Sequence, residues 1–289
     1  MKKILLAAVC LMMMASCKSL KVVDQQAAVN AGVAAAQALT ISESQIKQLC
    51  TEYMVQSDGE NTVLPAGNEY TQRLNRIMAK FKNVGDMNLN YKVYESNTVN
   101  AFASGDGSIR IYSGLMDVMN DDELFAVIGH ELGHLKNKDV RDAYRTAYLI
   151  VAARYGIAAV NTTAGALSTG FLGDLGQQLA LNAYSRQQEY EADEASFQFC
   201  VANDIDPFAM YNALNVLIRL NGNSGTQSKV AQMFSTHPDS SKRAARIKSM
   251  AESAGYKISG GRSTTPKANA TSGSTKAKVV KIKTDEKKN

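Results

Sequence analysis

Histidine is scarce in this chain: only His130, His134 and His237 occur in 289 residues. Any imidazole chemistry must come from these three. Cysteine is almost as rare. Of four, Cys10 and Cys17 fall near the N-terminus, leaving Cys50 and Cys200 to the body of the chain. Two thiols either bridge each other or sit as small buried hydrophobes, and spacing does not decide between these. Long apolar runs are missing too. A membrane-spanning helix needs about 20 consecutive apolar residues. The run from Ile4 to Met14 is too short, and the stretch from Ala147 to Leu181 is interrupted by Arg154, Asp174 and scattered glycines. That stretch reads as a buried helical hairpin, with contact to a membrane surface as the alternative. No basic stripe with interleaved aromatics runs through the body, which argues against a nucleic-acid groove. The formal charge of +5 lies elsewhere: from Gly260 onward eight Lys/Arg face only Asp285 and Glu286, so the tail carries +6 and everything before it about −1. No internal repeat is visible.

What is present suits one sizeable folded domain: 45% apolar and 20% charged residues. The first residues read as an address. Lys2 and Lys3 precede the short apolar run, which ends in Met14-Ala15-Ser16-Cys17. Small residues before a cysteine resemble the lipobox of bacterial lipoproteins, with Met14 where leucine is usual. The resemblance implies cleavage after residue 16 and lipidation of Cys17. It further implies a membrane-tethered, periplasm-facing protein of the cell envelope, the outer membrane preferred over the inner. The expected organisation is a signal peptide over 1–16, a spacer or accessory helix over 17–40, a folded domain over 41–256 and a disordered basic tail over 257–289.

Within the domain, Ser42 and Gln45 have capping-box spacing and open a helix expected to run through Met54. Tyr70, Leu74, Ile77, Met78 and Phe81 recur at helical steps. Three strand-like runs follow, Asn90–Glu95, Val99–Ala103 and Ser108–Tyr112. The Gly105-Asp106-Gly107 turn joins the last two, which suggests a hairpin or meander. Asn120 and Glu123 cap a helix to about Lys138. Further helices are expected over Gln177–Ala202 and Pro207–Leu220. The fold class is α+β, predominantly helical.

The decisive segment is Gly129-His130-Glu131-Leu132-Gly133-His134. Two histidines four apart on a helix stand one turn above each other, so both rings can reach one metal ion. Glu131 sits where its carboxylate can address a water on that metal. The flanking Leu124, Val127, Ile128 and Leu135 place the pair on an apolar helix, where unpartnered imidazoles would be costly. Catalytic zinc needs a third protein ligand. Position 140 is Val140, so the extended three-histidine motif fails. Glu189 and Asp193 are four apart on one helix face, which suits one carboxylate on the metal and one holding a ligand histidine by its other nitrogen.

Together these motifs resemble the zinc endopeptidases typified by the HtpX heat-shock protease and the CAAX prenyl protease, the exported lipoprotein branch being nearest in layout. Three further segments agree: Val99-Asn100-Ala101-Phe102-Ala103 with Ile109 to Tyr112, Ser185-Arg186, and Thr236-His237-Pro238 with Arg243. The resemblance covers roughly residues 41 to 250. It implies a zincin-like metallopeptidase domain with a small β-sheet beside the histidine helix. One zinc ion would be held by His130, His134 and Glu189, with Glu131 as general base and Asp193 orienting a ligand histidine. His237 and Arg243 are candidate donors to the developing oxyanion, and His237 is equally readable as a structural histidine. Polypeptides are the implied substrates, misfolded or unassembled envelope proteins in particular, with Ser108–Tyr112 as an edge for them to pair with. Two alternatives stand beside this. One is a chaperone-like lipoprotein whose metal site is closed by His237, and the other is a metal-dependent hydrolase of cell-wall peptides.

Overall fold

The computed structural model describes residues 42–154 and 169–258. The N-terminal address with Cys17, the 17–40 spacer, the middle of the apolar hairpin and nearly all of the basic tail lie outside the described residues.

Helix α1 (Glu43–Glu60) begins at the Ser42–Gln45 capping box, with both reciprocal bonds made, and buries Ile46, Leu49, Cys50 and Met54. Helix α2 (Glu69–Met78) turns Leu74 and Met78 inward. Its Arg73 reaches Asp121 Oδ1 at 2.7 Å and the carbonyls of Met116 and Met119 at 2.6 and 2.7 Å. After a two-residue ribbon, β1 (Asn83–Val84) with β2 (Met87–Asn88), the main sheet comprises β3 (Asn90–Tyr94), β4 (Ala101–Ala103) and β5 (Ser108–Tyr112).

The sheet is not the meander suggested by its spacing. Its order is β3-β5-β4: β4 and β5 form the expected antiparallel hairpin, but β5 pairs with β3 in parallel. The connection after β3 carries the chain past one strand's width, and Ser113 pins it by donating to Ser96 O at 3.0 Å. The slot so left is filled by β5, whose residues 108–111 are all buried, as a central strand requires. The expectation of Ser108–Tyr112 as a pairing edge is therefore corrected: β5 is central, and β3 and β4 are the edges. Arg110 on β5 is 2% exposed and grips Asp58 of α1 through two bonds of 2.7 and 3.0 Å, with Lys92 on the same carboxylate at 2.6 Å.

The remaining elements are helical: α3 (Ser113–Val118), α4 (Asp121–Lys136), α5 (Asp139–Arg154), α6 (Thr169–Leu181), α7 (Arg186–Ala202), α8 (Ala209–Asn221), α9 (Gln227–Thr236) and α10 (Ser240–Ser253). The continuous helix expected over Gln177–Ala202 is two helices. Ser185 accepts the backbone N–H of Gln188, while the Gln188 side chain returns to the Ser185 N–H at 2.9 Å, so a capping box starts a new helix there. Helix α4 lies centrally, against α7 on one side and β4 on another. Cys50 and Cys200 are both buried and free, so they are packing residues rather than a bridge. No helix among the described residues is long and apolar enough to cross a membrane.

Candidate metal centre

Four elements deliver the site. Helix α4 brings His130, Glu131 and His134, each at most 2% exposed. The capping box sets the first turn of α7 so that Glu189 enters from beside α4, with Asp193 one turn on; both are fully buried. The loop after α9 supplies His237, and the first turn of α10 supplies Arg243. The crossing of α4 and α7 is close because α4 has no side chain at Gly133. A Cβ there would lie 2.9 Å from Ala192 Cα, on the turn between Glu189 and Asp193.

The polar atoms converge. His130 Nε2 and His134 Nε2 are 3.1 Å apart, and Glu189 Oε1 lies 3.5 Å from His134 Nε2. Glu189 Oε2 lies 3.7 Å from His130 Nε2. His237 Nδ1 joins them, 3.0 Å from Glu189 Oε1 and 3.4 Å from His130 Nε2. One ligand atom from each of these four residues falls within 4.8 Å of the others. Two atoms bound at about 2.1 Å to one tetrahedral ion lie about 3.4 Å apart, so the spacing fits a zinc-sized cation. A second sign is Glu131 Oε1, which is buried without a hydrogen-bond partner and only 3.6 Å from His237 Nε2.

Electrostatics point the same way. Glu131, Asp139, Glu189 and Asp193 converge on the site, whereas Arg243 is the one buried guanidinium among them. Burial acts against ionised Glu189, yet the charges and hydrogen bonds of His237 and His134 hold its carboxyl well below the ordinary range. Asp193 is likewise low despite burial, because Arg243 pairs with it. Burial drags His130 down to about 3, aided by the Arg243 charge. Burial also opposes a charged His134, but bonds to Asp139 and Glu189 overcome it and lift the ring to about 9. Glu131 is raised by burial. Four buried acids against one guanidinium leave the pocket favouring a cation.

Each of the two α4 histidines is held by its other ring nitrogen. His130 Nδ1 meets Asp193 Oδ1 at 3.0 Å. His134 Nδ1 meets Asp139 Oδ2 at 2.9 Å. Sequence reasoning placed an orienting carboxylate at Asp193 but missed Asp139, which follows the helix end and carries no periodic signal. It also missed Tyr184, whose ring stacks on His134 with centroids 3.9 Å apart and planes at 15°. Arg243, expected as a donor to the reacting carbonyl, is already engaged: Nε and Nη2 bind Asp193 at 2.9 and 2.7 Å, and Nη1 binds Glu189. Its position suits holding the carboxylates in place. A cleft of about 190 Å³ opens beside Glu131 and His237, walled by the β4 edge, Tyr53, Tyr144 and Leu179.

Comparison with known proteins agrees with this centre. Residues 65–251 match the model of peptidase family M48. The chain is 37% identical to metalloprotease LoiP of Escherichia coli strain K12 over 235 residues, 81% of this chain and 91% of that protein. It is also 37% identical to metalloprotease YcaL of the same organism over 238 residues, 82% of this chain and 91% of that protein. A protease HtpX homolog of Salinibacter ruber is 30% identical over 181 residues, 53% of this chain and 64% of that protein.

Proposed function

This chain belongs to peptidase family M48 and is a zinc metalloendopeptidase; from that premise we propose that it cleaves extended, unfolded polypeptides at the cell envelope, held to a membrane by a lipid on Cys17. The observation that carries the substrate reading is the cleft. Its wall is the open edge of β4, and among the described residues Glu60, Glu131 and His237 are its only acidic or imidazole lining side chains. Such a cleft recognises backbone by strand addition rather than a charged side chain.

In this reading His130, His134 and Glu189 hold the zinc. The ion supplies a Lewis acid that polarises the scissile carbonyl and makes water a stronger nucleophile at neutral pH. Glu131 accepts a proton from the attacking water and returns it to the leaving amine, a role its burial-raised carboxyl suits. Asp193 and Arg243 keep His130 and Glu189 in register. The domain spans 41–256, preceded by a signal peptide over 1–16 and a spacer over 17–40, with the basic tail after it. The lipobox-like run ending in Cys17 supports the envelope location, and the outer membrane is preferred.

A second reading of His237 has its own observation. Nδ1 sits among the ligand atoms, 3.0 Å from Glu189, so His237 can close the site as a fourth ligand rather than donate to the oxyanion. His237→Ala separates the two: cleavage rises if the ring blocks the site and falls if it donates. The substrate reading is tested by offering one protein in native and in reduced, alkylated form. Rapid cleavage of the unfolded form with the native one spared supports it, and equal rates on both refute it. Incorporation of labelled palmitate that vanishes in Cys17→Ala tests the anchor.

A further inference from the structure

We propose that Asp139, clamped by the capping box of α7, is a positioning residue that sets the zinc affinity of the site through His134. This rests on the reading above in which His134 is a zinc ligand.

Helix α4 ends at Lys136 and α5 begins at Asp139, so the chain reverses over two residues. The reversal places Lys138 at φ 67°, a left-handed conformation that a lysine adopts at a cost. What the turn achieves is visible in the side chain that follows it. Asp139 is returned to the end of the helix it has just left, 6% exposed, with Oδ2 2.9 Å from His134 Nδ1. Its second oxygen, Oδ1, accepts from Gln188 Nε2 at 2.9 Å. Gln188 is not free to wander: its own oxygen accepts the Ser185 N–H at 2.9 Å, and its backbone N–H is taken by Ser185 Oγ at 3.3 Å. One residue later comes Glu189. The four-residue device that starts α7 therefore fixes a ligand carboxylate and, through Gln188, the aspartate behind a ligand histidine.

The two histidines are thus held differently. Asp193, behind His130, shares its charge with Arg243 through two short bonds. Asp139 meets only the His134 ring and a neutral amide in the bonds above, so more of its charge acts on His134. An aspartate in this place fixes the ring's tautomer with Nε2 toward the metal and makes that nitrogen a stronger donor. The alternative role for an acid at this position is to stabilise the N-terminus of α5, and that role would not reach the metal.

The test uses the full chain in detergent, with zinc affinity read by competition against a chelator and thermal unfolding of the metal-free protein read in parallel. Asparagine keeps size and one acceptor but sets an N–H₂ against either Gln188 or His134. Asp139→Asn is expected to weaken zinc binding about 10–100-fold, with the metal-free melting temperature little changed. Affinity within twofold of wild type overturns the proposal, as does a loss of metal-free stability without a loss of affinity. Should Asp139→Asn not fold, Gln188→Ala frees Asp139 and is expected to weaken zinc in the same direction; unchanged affinity there overturns the proposal. His134→Ala marks which reading fails. If it leaves zinc affinity intact, the ligand assignment falls and this inference with it. If it loses zinc while Asp139→Asn does not, only the present inference falls.

Discussion

Replacing Gly133 by alanine probes the contact on which the zinc site is built. The added Cβ would stand 2.9 Å from Ala192 Cα, 3.0 Å from Ala195 Cβ and 3.1 Å from Ala192 O. Two of these are backbone atoms of α7 and cannot rotate aside, so the helices must separate by several tenths of an ångström. Overpacking of this kind costs about 1–3 kcal/mol. Helix propensity returns up to about 1 kcal/mol, because alanine replaces glycine within a helix. At the middle of these ranges the net is a destabilisation of about 1 kcal/mol, or a fall of about 2–4 °C in melting temperature for a domain of this size. Because Ala192 lies between Glu189 and Asp193, the same displacement pulls both carboxylates from the histidines, and zinc affinity should fall as well. Gly59→Ala is the control: nothing stands within 4 Å of its new Cβ. It should gain up to about 1 kcal/mol from propensity alone and leave zinc untouched. Calorimetry of metal-free protein and a chelator competition read both quantities. A Gly133→Ala protein that melts and binds zinc like wild type would refute the argument that this crossing positions Glu189.

Arg243→Met removes the counter-charge of buried Asp193 and Glu189, and should cost the metal-free protein about 3–5 kcal/mol in denaturant unfolding; a loss below about 1 kcal/mol would contradict the pairing. Acid should unfold the protein partly through Asp58. Burial acts against its charge, but Arg110, Lys92 and Tyr94 win and hold the carboxyl at about 2 against an ordinary 3.8. A lowered folded pKa gives stability that is complete above the unfolded value and drains as pH falls from about 4 towards 2, worth about 1–2 kcal/mol after allowing for the water that reaches this carboxylate. Asp58→Asn should flatten that limb in pH-dependent unfolding. Free zinc at 100 times its dissociation constant should add about 2.7 kcal/mol to stability, removable by a chelator. A melting temperature indifferent to chelation would argue against the site.

Local chemistry made much of this protein legible in its sequence. The capping boxes at Ser42 and Asn120 announce α1 and α4, and the four-residue step from His130 to His134 announces two imidazoles on one helix face. The paired step from Glu189 to Asp193 did the same for α7. What failed was non-local. The place of β5 between β3 and β4 depends on how a loop crosses the sheet, and no residue in β5 encodes its neighbour. The break at Asn182 was hidden because Ser185 and Gln188 were read as helix interior, although their spacing is that of a cap. Asp139 was invisible for another reason: its partnership with His134 depends on a left-handed lysine, and nothing in sequence marks Lys138 for that conformation. Arg243 was found by resemblance, but its engagement with two carboxylates needed coordinates.

The most direct test of a zinc peptidase with Glu131 as its base is a paired measurement on wild type and Glu131→Gln: zinc content and cleavage of an unfolded protein. Both should carry about one zinc per chain, and the variant should cleave at least about 100-fold more slowly. Folded wild-type protein that holds no zinc, or a variant that cleaves at the wild-type rate, would contradict the account.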